Sequence, residues 1–140
     1  MRTLRRDVLR PGGTLDPPPY DLDPATRHVG AFDDERTVLA CVTIFPSPFV
    51  DEPLGWQLRG MAVDPVYQGR GIGRLVLDAA VELARSGGVP LLWANGRFNV
   101  LPFYERAGWT SIGAIFRYGP ANLDHMVIVR RLSAVGRTVS

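Results

Sequence analysis

Residues 68–74 read Gln-Gly-Arg-Gly-Ile-Gly-Arg, with Gly69, Gly71 and Gly73 at every second position. Without side chains there, main-chain N–H groups lie uncovered and can converge on one anion, and a helix starting at that point adds the positive end of its dipole. Gln68, Arg70 and Arg74 bring further donors. This is chemistry suited to gripping a phosphate. The other groups able to react are the phenol of Tyr104, the imidazoles of His28 and His125, the loop carboxylates of Asp51 and Glu52, and the thiol of Cys41. Cys41 lies among Leu39, Ala40, Val42 and Ile44 with no basic neighbour, so it reads as core rather than nucleophile.

The elements around the corner decide what kind of phosphate site it is. Trp56 to Val63 (WQLRGMAV) ends in an apolar run suited to a central strand, and Asp64-Pro65 stops it. After the corner, Ile72, Leu75, Val76, Ala79 and Leu83 recur at helical spacing, with Arg74, Asp78, Glu82 and Arg85 as a charged stripe. Gly87-Gly88 and Pro90 end that helix, and Val89 to Ala94 reads as a second strand. A dinucleotide fingerprint would place glycine where Val76 stands and an acidic residue where Asn95 stands. A P-loop would need a lysine, and all sixteen basic residues are arginine. Both readings fail.

What remains, Gln-x-x-Gly-x-Gly over Gln68 to Gly73, resembles the coenzyme A diphosphate loop of the GNAT superfamily of acetyl-CoA-dependent N-acetyltransferases. A second segment, Phe103-Tyr104-Glu105-Arg106-Ala107-Gly108-Trp109, is similar to the family's Phe-Tyr-x-x-x-Gly-(Phe/Trp) pattern. The resemblance runs from about Arg36 to Leu132 and is strongest from Leu58 to Trp109. It implies an α/β (α+β) fold: a mixed, mostly antiparallel central sheet with splayed central strands and flanking helices, here with a shortened N-terminus. It implies that Met61, Ala62 and Val63 meet the pantetheine arm through their backbone, with the Val63 N–H facing the oxyanion. By the same resemblance Gln68, Gly69, Arg70, Gly71, Ile72, Gly73 and Arg74 hold the diphosphate, and Tyr104 donates a proton to the departing thiolate. Arg97 and Val100 stand where many relatives carry asparagine and alanine, leaving Asn95 or Asn99 to supply a comparable amide.

Acetyl-CoA is thus the implied cosubstrate, and the implied acceptor is an amine of a small molecule or a peptide. General-base candidates for that amine are Glu52, Asp51 and His125, each with a plain alternative as a solvated charge or a structural hydrogen-bonder. His28 reads as structural. Trp56, Trp93 and Phe45 are either core or acceptor-pocket residues, and Arg59 faces the acceptor or a carboxylate. The alternative function is a non-catalytic acyl-CoA sensor or interaction module that keeps the cradle, a reading prompted by Arg97 and the short N-terminus.

Length and composition bound these readings. The 140 residues, 46% of them hydrophobic, suit one domain, an N-acetyltransferase domain over residues 1–140. One cysteine rules out an intramolecular disulfide and a two-cysteine metal clip, so no metal is expected. No apolar run is long enough for a membrane helix or a signal peptide, which points to the cytoplasm. A net charge of +2 from scattered arginines gives nucleic-acid binding little support. Without lysine, self-acetylation at a side-chain amine is excluded. Thr3 to Leu9 reads as a remnant helix, Pro11 to Pro24 and Pro46 to Gly55 as loops, and His28 to Phe32 with Thr37 to Phe45 as a hairpin. Thr110 to Phe116 and His125 to Arg131 are closing strands joined by Arg117 to Asp124, and they offer a surface for pairing into a homodimer.

Overall fold

The computed structural model describes residues 24–132. The helix expected over Thr3 to Leu9, and all but the last residue of the loop expected over Pro11 to Pro24, lie outside the described residues. In chain order the elements are β1 (Arg27–Phe32), β2 (Val38–Pro46), β3 (Trp56–Val63), α1 (Ile72–Ser86), β4 (Leu91–Arg97), α2 (Leu101–Arg106), β5 (Thr110–Tyr118) and β6 (Leu123–Arg131). Hydrogen bonding orders the strands β1-β2-β3-β4-β6-β5. The mostly antiparallel α/β architecture expected from the sequence is the one observed. Within the described residues the chain forms two compact units, 24–46 with 58–83, and 47–57 with 84–132.

In the first unit β1 and β2 form an antiparallel hairpin, registered from Arg27↔Ile44 to Ala31↔Ala40. Its turn is fixed by Asp33, whose Oδ1 accepts from the amides of Glu35 and Thr37 at 2.8 and 2.9 Å. Strand β2 is apolar along its length, and Leu39 through Phe45 are all buried. His28 Nδ1 lies 2.8 Å from the hydroxyl of buried Thr43, the structural role its position suggests. Cys41 is fully buried, with Sγ 4.0 Å from the Gly60 carbonyl.

Helix α1 runs as expected but turns a different face inward. Val76, Leu77, Ala80, Val81 and Ala84 are buried, whereas Leu75, Ala79 and Leu83, placed on the apolar face by periodicity, are exposed. Apolar residues cover so wide an arc here that spacing alone admits two faces one residue apart, and the stripe containing small Ala80 and Ala84 packs more closely. The helix ends as its glycines dictate: Val89 N–H and Gly87 N–H both donate to Ala84 O, and Gly88 takes φ +81°.

In the second unit β4, β6 and β5 pair antiparallel, and the parallel ladder from the start of β3 consists of Trp56↔Leu92 and Gln57↔Trp93. Strand β4 begins at Leu91 rather than Val89 because the Val89 amide is spent capping α1. The connection expected over Arg117 to Asp124 shrinks to residues 119–122, closed by Asn122 N–H to Gly119 O at 3.0 Å.

Register divides this sheet into two faces. Trp93, Asn95 and Arg97 of β4 share one with Val129, Val127 and His125 of β6 and Phe116 of β5. Ala94 and Gly96 share the other with Ile128 and Met126. Helix α2 covers the second face: a Cβ built at Gly96 would lie 3.1 Å from Ile128 Cδ1 and 3.4 Å from Leu101 Cδ2.

The buried face of α1 is open to a direct check. Leu77→Ala should cost about 2–5 kcal/mol in chemical denaturation, while Leu75→Ala, at a site 68% exposed, should stay within about 0.5 kcal/mol. The reverse order would restore the face read from periodicity.

Candidate active site

The corner after β3 is built by its own backbone. Asp64 Oδ1 accepts from Val66 N–H at 3.0 Å and Asp64 O accepts from Tyr67 N–H at 2.8 Å, closing a short turn over Pro65–Tyr67. Gly69 and Gly71 then take φ +81° and +79°, a region that costs other residues strain. A Cβ built at either would find no atom within 4 Å, so the space beside each stands open.

The first helical hydrogen bond at this end is Leu75 N–H to Gly71 O at 3.1 Å. Ahead of it the amides of Gly69, Arg70, Gly71, Ile72 and Gly73 donate to no backbone carbonyl among the described residues. Such an array of unspent N–H groups at a helix start matches an anion with several acceptor oxygens, as a diphosphate has. The side chains contribute less than their types suggest. Gln68 Nε2 donates to Val63 O at 3.2 Å, and Arg74 Nε holds both oxygens of Asp78 at 2.9 and 3.0 Å. The Arg70 guanidinium lies 5.4 Å from the centre of the Tyr67 ring. Of the candidate donors, the amides of residues 69–73 are unspent on backbone carbonyls among the described residues, while all three side chains have contacts of their own.

Ahead of the corner Ala62 is buried while Met61 and Val63 are half-buried. Sequence reasoning passed over Gly60, which takes φ +72° in the middle of β3. A positive φ inside a strand marks a bulge that re-aims the residues after it, here Met61 to Val63. A glycine within an otherwise apolar strand was the available signal.

Tyr104 sits in α2 of the second unit, 7% exposed, edge-on to Phe103 at 5.2 Å and to Trp109 at 5.7 Å between ring centres. Desolvation by burial pushes its phenol up from 10.0 to about 12, so it carries its proton throughout the neutral range. Helix α2 ends as the motif requires: Ala107 and Trp109 N–H both donate to Tyr104 O, and Gly108 takes φ +94°. Asn95 is half-buried on β4, on the face opposite α2, whereas Asn99 is exposed in the short turn Phe98–Val100. Arg97 is exposed at the end of β4.

The base candidates separate clearly. Asp51 is bound by Arg131 Nη2 at 3.2 Å. The backbone of Glu52 closes a tight turn with Phe49, and no bond orients its carboxylate among the described residues. His125 is buried, with Nδ1 2.7 Å from Leu123 O. Trp93 packs on Phe49 at 5.6 Å and donates from Nε1 to Ser47 O at 2.9 Å, tying the loop before β3 to β4, while Phe45 is buried as core. Arg59 is exposed.

Comparison with known proteins bears on these features. The family model described as Acetyltransferase (GNAT) family matches residues 3–109. The uncharacterized N-acetyltransferase YitI of Bacillus subtilis strain 168 is 29% identical over 133 residues, 92% of this chain and 88% of its own. Among solved structures, Escherichia coli ElaA aligns at a TM-score of 0.76 and 16% identity, over 92% of this chain and 86% of its own. An acyl-CoA N-acyltransferase from Pseudomonas aeruginosa aligns at a TM-score of 0.76 and 18% identity, with the same coverage. At such identities the two structures speak for the fold.

The raised phenol has a consequence for stability. Between pH 10 and about 12 the unfolded chain has lost the Tyr104 proton and the folded chain has kept it, so this contribution is complete below pH 10 and disappears as pH rises through that window. Wild type should lose up to about 3 kcal/mol from this group relative to Tyr104→Phe between those limits, read by denaturation at each pH. Parallel curves for the two proteins would show that the phenol is not desolvated.

Proposed function

The chain belongs to the GNAT family of acetyltransferases, and on that premise we propose that it moves the acetyl group of acetyl-CoA onto an amine of a small molecule or a peptide. The observation that carries the assignment is the corner itself: adjacent main-chain amides that donate to no backbone carbonyl among the described residues, beside glycines whose Cβ positions are open space. The family's cosubstrate carries a diphosphate, and these residues fit it.

The amides of Gly69 to Gly73 hold the diphosphate oxygens, with Gln68, Arg70 and Arg74 at the rim. Each N–H to a charged oxygen contributes about 1.5–3 kcal/mol, so two or three account for much of a micromolar affinity. Backbone groups of Met61, Ala62 and Val63 position the pantetheine arm, and the Val63 N–H faces the carbonyl oxygen as it gains charge. Asn95 is the better placed of the two candidate amides, since Asn99 is exposed. In the reaction the amine nitrogen forms a bond to the thioester carbon, the C–S bond breaks, and one amine proton replaces the lost bond on sulfur.

Tyr104 serves the departing sulfur. A phenol near 12 is a weaker acid than an ordinary thiol near 8.5, so complete transfer to a free thiolate is uphill. Its part is a hydrogen bond that strengthens as negative charge reaches the sulfur, with the proton restored from the amine by way of water. We take residues 1–140 as one acetyltransferase domain working in the cytoplasm, with association into a homodimer through β5 and β6. No helix among the described residues is long and apolar enough to cross a membrane.

Two substitutions test the assignment at separate points. Gly71→Glu places a carboxylate where the diphosphate would lie, and calorimetry should show acetyl-CoA binding weakened by about 100-fold or more. Unchanged affinity in a folded variant would remove the cradle from the account. Tyr104→Phe should leave binding near normal and lower kcat by about 100-fold in a thiol-release assay; equal kcat would retire the phenol.

A further inference from the structure

We infer that His125 is the group that takes the proton from the acceptor ammonium, and that the rings of Phe116, Tyr118 and His125 form the surface that receives it. The inference rests on the acetyltransferase reading above.

A histidine can act as a base only if one ring nitrogen keeps its lone pair available, and the backbone arranges that here. Leu123 O lies 2.7 Å from Nδ1, and a carbonyl only accepts, so the neutral ring carries its proton on Nδ1 and its lone pair on Nε2. Nε2 has no hydrogen-bond partner among the described residues, and it is not one of the sealed side-chain atoms, which are Trp109 Nε1 and Arg130 Nε. Among the described residues the imidazole is therefore anchored at one nitrogen and without a partner at the other, although its residue is only 7% exposed.

The rings around it suit a cation. Phe116 stacks on His125 at 6.0 Å and 29°, Tyr118 meets it edge-on at 5.3 Å, and Phe116 and Tyr118 lie 6.1 Å apart. Aromatic faces attract an ammonium, and half-desolvated faces more strongly. Phe116 and Tyr118 reach this position past an irregular stretch of β5: its register with β6 passes from Ile112↔Val127 directly to Phe116↔His125, and Gly113 takes φ +79° between them.

The charged neighbours are few. Arg97 on β4 stands directly opposite His125 on the same face, and β5 offers the phenol of Tyr118 there. Asp124 points to the other face, where Arg117 on β5 lies 3.8 Å away. No carboxylate shares the imidazole's face among β4, β5 and β6, so the proton it collects is not held by an ion pair and can pass to water. The imidazole is on the face of β4 opposite the one that α2, the helix of Tyr104, covers, with the amine nitrogen assigned to His125 and the sulfur left to Tyr104. In the balanced step R–NH3+ gives one proton to Nε2, the neutral amine attacks, the C–S bond breaks, and the second nitrogen proton ends on sulfur.

The test uses the full chain and the primary amine that gives the fastest thiol release in a panel of alkylamines, amino acid esters and peptides. His125→Gln should bind acetyl-CoA like wild type by calorimetry. Its kcat/KM for the amine at pH 7 should fall by about 100-fold. The gap should narrow as pH rises toward the amine's own pKa, where free amine no longer needs a base, and Phe116→Leu should raise KM while keeping the wild-type pH profile. If His125→Gln does not fold, His125→Phe, which keeps the ring stack, carries the same comparison. Parallel pH profiles, or no loss at pH 7, overturn the role of His125 and leave the acetyltransferase reading standing. No amine-dependent release from wild type overturns that reading and this inference with it.

Discussion

The structure turns on a run of main-chain amides that the fold declines to use. In most of the chain each N–H finds a carbonyl, because an unmade hydrogen bond away from water is costly. Between Gly69 and Gly73 the backbone leaves αR geometry twice, at positive φ, and so delays the first bond of α1 until Leu75. The donors thereby left over follow one another through the corner. Asp64 makes this affordable by fixing the turn ahead of it, and Val63 does so by accepting from the Gln68 side chain. The geometry is set before any ligand arrives, which lowers the ordering cost of binding.

A second constraint acts on the buried polar rings of the other unit. Burying a phenol raises it as an acid, so Tyr104 is secure as a hydrogen-bond donor at neutral pH and weak as a complete proton donor. Packing against Phe103 and Trp109 does both at once. His125 is arranged by the opposite logic, with one nitrogen satisfied by Leu123 O and the other left open. The two groups are equally buried and differ in their partners, and they belong to opposite faces of the sheet around β4.

Much of this could be read from the residues, for physical reasons that differ by element. Strand β3 and helix α1 were legible because Asp64-Pro65, the corner and Gly87-Gly88 punctuate the chain at their ends. The buried face of α1 was not, since Leu75, Val76 and Leu77 are all apolar and only packing chooses among them. The start of β4 was misplaced because Val89 looks like a strand residue but spends its amide on the helix. At the candidate site, the glycines signalled an irregular corner, yet the engagement of Gln68 by Val63 and of Arg74 by Asp78 depends on side-chain geometry that composition does not encode. The same holds for His125, whose open nitrogen follows from one carbonyl two residues away.

The central claim is best tested by following the amide resonances of Gly69, Gly71, Ile72 and Gly73 by NMR during titration with coenzyme A and, separately, with pantetheine, which lacks the diphosphate. The account predicts large shifts at these four amides with coenzyme A and little change with pantetheine. Saturable binding of coenzyme A that leaves all four resonances in place would contradict it.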